Sequence, residues 1–133
     1  MSLWLLDTNT ISTIFRNPFG IVANRIASTD QRDLCTSIVV ACELRFGAAK
    51  RGSAKLTAWA EATLNDFDVQ PLGTDADRHY ALLRAKLERQ GTPISGNDML
   101  IAAHALALDA TLVTANTREF ARIDGLKLEN WLD

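Results

Sequence analysis

Residues 3–6 read LWLL, an unbroken apolar run that stops at Asp7. A strand with one wet face alternates apolar and polar side chains, whereas an unbroken run fits a strand covered on both faces, as in a parallel sheet. Residues 34–37 (LCTS) and 111–114 (TLVT) read as further short strands, and segments of helical periodicity lie between all three. Strands alternating with helices predict a three-layer α/β/α fold around a central, mainly parallel sheet of four to five strands.

The helical segments are one through Ile11, Ile14 and Phe15, then 21–27, 38–49, 54–64, 74–89 and 96–108, with Gly91 as a stop signal after the fifth. Residues 67–72 and 126–132 offer two more strands, the latter with Trp131 docking the end of the chain. Residues 38–49 are apolar nearly all round except Glu43 and Arg45, so this helix is expected to be mostly buried. The chain has 133 residues, 47% of them hydrophobic, which is enough for one domain over 1–133 and too short for two. Neither an apolar run of about 18 residues nor a secretory leader is visible, so the expected location is the cytoplasm, away from any membrane. Cys35 and Cys42 lack metal-ligand spacing and read as buried free thiols. The net charge of −2 argues against a protein that grips nucleic acid over its whole surface.

Three carboxylates stand in unusual company. Asp7 ends the first strand, and the C-terminal edge of a parallel sheet is where ligands bind; it equally suits the N-cap of the next helix. Glu43 is embedded in apolar sequence, where an ion pair with Arg45 or a distant Arg is the alternative to a functional role. Asp98 heads the apolar helix GNDMLIAAHALAL and shares a face with Ile101, Ala102 and Ala105. Ser95 to Asp98 also fits a capping box. His79 and His104 read as structural. If the sheet is wound in the usual right-handed way, Asp7, Glu43, Asp98 and the segment 114–116 converge on one crevice. Like charges disfavour ionisation at close range, so three such acids call for a cation. Hard oxygen ligands without cysteine or paired histidine select Mg²⁺ or Mn²⁺ over Zn²⁺.

LLDTN at 5–9, ELRFGA at 43–48, PISGNDMLIAAHAL at 93–106 and VTANTREF at 113–120 follow one another in an order that resembles the PIN-domain ribonucleases, specifically the VapC toxins of toxin–antitoxin pairs. The likeness spans essentially the whole chain. It implies that Asp7, Glu43 and Asp98 bind Mg²⁺ or Mn²⁺. Asn116 takes the position where a fourth acid often stands, and an amide can ligate a metal or orient a water but brings no charge. Thr8, Asn9 and Thr114 are the groups expected to hold the carboxylates or water. The implied activity is hydrolysis of an RNA phosphodiester by metal-activated water, on structured RNA such as tRNA. The implied partners are a cognate antitoxin whose tail covers the site and a second copy of the chain. Antitoxin contact is expected on the helices around 43–64, with Phe46 and Trp59, and Arg45 and Arg118 are expected to meet phosphate or an antitoxin acid.

Other readings fare less well. A receiver domain needs its acids on strands, and GAAKRGS at 47–53 has Ser53 where a P-loop needs lysine. A PIN-like module that binds RNA or protein without cutting is the alternative, and three acids that repel phosphate weigh against it.

Overall fold

A computed structural model describes residues 2–132. In chain order its elements are β1 (Trp4–Leu6), α1 (Thr8–Arg16), α2 (Ile21–Ala27), a 3₁₀ turn (Gln31–Asp33), β2 (Leu34–Ser37), α3 (Ile38–Arg51) and α4 (Ala54–Asp66). There follow β3 (Val69–Gln70), α5 (Ala76–Arg89), α6 (Gly96–Leu108), β4 (Thr111–Val113), α7 (Thr117–Phe120) and β5 (Lys127–Glu129). The strands form one sheet in the order β3-β2-β1-β4-β5. Every pairing is parallel; Trp4, for example, lies opposite Leu34 on one side and Thr111 on the other.

The central position of β1 explains its sequence. With strands on both sides and helices above and below, Leu5 and Leu6 have no exposed surface, nor has Leu112 of β4. Each such side chain contributes about 1.5–3 kcal/mol by leaving water. The chain steps one way from β1 to β3, then crosses back over β1 to β4 and β5. Right-handed crossovers therefore send the helices before β3 to one face and those after it to the other. The packing agrees: α1 lies on α2 and α3, α3 on α4, and α5 along α6. The reversal falls between β1 and β4, which opens a crevice at their C-terminal ends. Gly91, at φ 68°, turns the chain after α5 as the sequence predicts.

Several boundaries differ from expectation. β3 spans two residues instead of 67–72. β5 stops at Glu129 instead of reaching 132, because the chain leaves the sheet there and buries Trp131, 2% exposed, against the core. One helical turn, α7, stands where the sequence suggested only a loop. α3 is buried on one side only: Val40 and Leu44 are covered, while Phe46 is 66% exposed and Cys42 is open to solvent, against the expectation of two buried thiols. Burial of the other thiol, Cys35, pushes its pKa up to about 12, with the charge of Asp68 adding to the effect. No helix among the described residues is long and apolar enough to cross a membrane.

Candidate active site

β1 delivers Asp7 to the crevice. Its N–H donates to the Val113 carbonyl (3.0 Å), which carries the β1–β4 ladder one residue past the strand, and its carboxylate accepts from Thr10 N–H (2.9 Å) as the N-cap of α1. The capping and crevice readings of Asp7 therefore hold together. Asp7 is 5% exposed. Burial raises its pKa, the Thr114 hydroxyl and the Thr10 N–H pull it back, and the charge of Glu43 adds to the rise. Thr114, itself fully buried, also accepts from Asn116 N–H (3.0 Å).

Asp98 sits in the first turn of α6, where its N–H donates to Ser95 Oγ (3.2 Å), the expected cap. Burial raises the pKa of its carboxyl, the Ser95 hydroxyl lowers it, and the charges of Glu43, Asp7 and Glu119 all raise it further. Three other acids thus act on one carboxylate.

Glu43, half-buried on α3, accepts from Thr8 Oγ1 (2.5 Å) and from Asn97 Nδ2 (3.4 Å), so neutral donors from α1 and α6 hold it in place. It makes no pair with Arg45, which is bonded to Glu61 of α4. Residues two apart on a helix point in nearly opposite directions, so Arg45 turns away from Glu43.

Glu119 is the acid that sequence reading missed. Asn116, at the expected fourth position, donates from Nδ2 to Glu119 Oε2 (2.8 Å), so the amide holds a carboxylate one turn further along. The spacing N-x-x-E, that of a helix start, was the available signal. Asn9 is exposed and, among the described residues, makes no side-chain hydrogen bond; Arg118 is exposed beside Glu119.

Among the described residues, none of Asp7, Glu43, Asp98 and Glu119 forms an ion pair with a lysine or arginine. Nor are any three acids, histidines or cysteines among them gathered tightly enough to chelate an ion directly. Across the crevice Glu43 acts on Asp7, and Glu43, Asp7 and Glu119 all act on Asp98. Their fit to a metal lies in the donor chemistry: hard oxygens, mutual repulsion and no protein cation to relieve it suit Mg²⁺ or Mn²⁺, which retain much of their water. A groove of about 320 Å³ leads from Thr8 and Glu43 between α1, α3 and α4, past Phe15 and Trp59 to Arg16 and Arg51. Phe15 and Trp59 pack edge to face at 5.2 Å, so Trp59 is half core and half groove wall.

A parallel sheet with acids gathered at its switch point is the arrangement of a PIN domain, and the sequence profile of that domain matches residues 4–126. The tRNA(fMet)-specific endonuclease VapC of Shigella flexneri is 36% identical over 132 residues, 98% of this chain and 99% of that protein. Ribonuclease VapC2 of Rickettsia felis is 34% identical over 131 residues, covering 97% and 98%. Among solved structures, DNA-bound VapBC from Salmonella typhimurium superposes with a TM-score of 0.90 at 34% identity, covering 98% of this chain and 99% of that one. With likeness of this extent from end to end, the chain belongs to the VapC group of the PIN-domain family.

Proposed function

We propose that the chain is a metal-dependent endoribonuclease toxin that hydrolyses phosphodiester bonds in structured RNA such as tRNA and is silenced by a cognate antitoxin. The observation that carries this reading is the set of four carboxylates at the sheet's switch point, Asp7, Glu43, Asp98 and Glu119, none paired with a lysine or arginine among the described residues. The tRNA-specific name of the Shigella relative and the VapBC composition of the Salmonella structure support the substrate class and the partner.

In this reading Asp7, Asp98, Glu43 and Glu119 hold Mg²⁺ or Mn²⁺. When bound, the ion supplies an acidified water and neutralises charge developing on the phosphoryl oxygen. The chain's own residues do the rest. Thr8 and Asn97 fix the rotamer of Glu43, Thr114 and the α1 N-terminus fix Asp7, and Asn116 fixes Glu119. Asp98, half-buried where Asp7 is almost fully covered, is the acid best suited to take a proton from water and return it to the leaving oxygen. In this reading exposed Arg118 steadies a phosphate, and Arg16 and Arg51 extend positive charge along the groove. The same groove, with exposed Phe46 nearby, suits an antitoxin segment. A second copy of the chain is the other partner in this reading.

The test is cleavage of total tRNA by purified chain, free of antitoxin, in Mg²⁺, Mn²⁺ and EDTA, beside Asp7→Asn prepared identically. Discrete fragments are expected that need metal and vanish in the variant. Equal cleavage by both proteins, or none by either, counts against the reading, and light scattering on the same samples reads the oligomer.

A further inference from the structure

His104 lies on α6, six residues after Asp98, and Ser37 caps α3, six residues before Glu43. The two side chains meet in the core: His104 Nδ1 is 2.7 Å from Ser37 Oγ, and the residues are 1% and 0% exposed. Ser37 Oγ already accepts from Val39 N–H (3.1 Å), which leaves its own hydrogen to donate to Nδ1. With the hydroxyl donating, the imidazole is neutral and carries its proton on Nε2. Burial lowers the His104 pKa and favours this neutral form, with the Pro71 carbonyl acting weakly the other way. Among the described residues the contact with Ser37 is the ring's one side-chain hydrogen bond.

A second polar contact joins the same helices, from Asn97 of α6 to Glu43 of α3. Taken together, 37 meets 104 and 43 meets 97, so the helices run antiparallel where they touch, with one buried rung and one at the acid pocket. Six residues of helix separate the rungs on α3, about 9 Å.

We infer that the Ser37–His104 hydrogen bond is a buried strut that sets how far α3 is advanced along α6, and hence the separation of Glu43 from Asp98. His104 is then a positioning residue. An apolar contact resists sliding poorly, because one aliphatic packing resembles the next, whereas a hydrogen bond is satisfied at a single register. The inference rests on reading the acids as a metal-binding pocket.

The experiment compares wild type, His104→Leu and His104→Asn by Mn²⁺ titration and by two-dimensional amide NMR of the metal-free protein. Leucine fills the space without a polar atom, while the asparagine amide places one close to the position of Nδ1. His104→Leu is expected to lose at least roughly tenfold in Mn²⁺ affinity, the scale of lost support behind a metal ligand, and to shift the amide signals of Glu43 and Asn97. His104→Asn is expected to restore most of both. Wild-type affinity in His104→Leu, or signals that move only beside residues 37 and 104, would overturn the strut. Should His104→Leu fail to fold, His104→Gln, whose amide lies one bond further out, takes its place with the same outcomes. Asp98→Asn separates the two ideas: if neither it nor wild type binds Mn²⁺, the pocket reading falls, and movement or stillness at Glu43 and Asn97 alone decides the strut.

Discussion

Asp7 and Glu129 both stand at the C-terminal ends of parallel strands in one sheet, yet their surroundings are opposite. Glu129 accepts from Trp4 Nε1 (2.7 Å) and Trp131 Nε1 (3.3 Å) and pairs with Arg25 (3.2 Å), whose guanidinium also lies 5.1 Å from the centre of the Trp131 ring. It fastens β1, α2 and the end of the chain together. Asp7 has neutral donors, the charges of Glu43 and Asp98, and no paired cation among the described residues. Place in the fold is shared by the two; what surrounds the carboxylate separates a clasp from a site. An acid whose charge is already matched has nothing left to offer a ligand.

The largest break in this contrast is expected from Asp98→Asn. Removing one charge from the pocket should lower RNA cleavage by roughly a hundredfold or more, measured as single-turnover rate, while circular dichroism stays unchanged. Next, Mn²⁺ at a hundred times its dissociation constant should stabilise wild type by about 2.7 kcal/mol in urea melts, and Asp98→Asn by less at the same concentration. Glu129→Ala should do the reverse of Asp98→Asn, costing about 1–2 kcal/mol of stability with cleavage per folded molecule unchanged.

The smallest effect is in the pH dependence of the metal-free protein. The folded-state pKa values of Asp7 and Asp98 lie above the ordinary 3.8, so the folded chain binds protons more tightly than the unfolded one. Their contribution is fully present below 3.8 and is lost as pH rises through the raised values. Thermal melts in EDTA should therefore show Asp98→Asn more stable than wild type at neutral pH, with the advantage closing near pH 4. A constant difference across that range would show that neither burial nor the neighbouring acids raise the Asp98 pKa.

Much of this was legible because it depends on local pattern. LWLL reads as a covered strand, and the apolar helix after Ser95 puts Asp98 on a face of small and aliphatic side chains. Convergence of Asp7 with Asp98 followed from crossover handedness. Glu119 was illegible for the opposite reason: a single turn of helix has no period, and beside Arg118 the residue looks like half of a surface pair. The open face of α3 was hidden too, since an apolar residue such as Phe46 reads alike whether it meets the core or solvent. The Ser37–His104 contact joins residues 67 apart, and nothing local in either segment announces the other.

The order of strands also governs when the chain becomes dangerous to RNA. β1 is made first but lies in the middle of the sheet, and the Asp7 N–H is held by Val113, which emerges late in synthesis. A chain still short of β4 already carries Asp7, Glu43 and Asp98 but has neither the wall that aims Asp7 nor Glu119. On the proposed function, the acid pocket is completed only once β4 and α7 have been made.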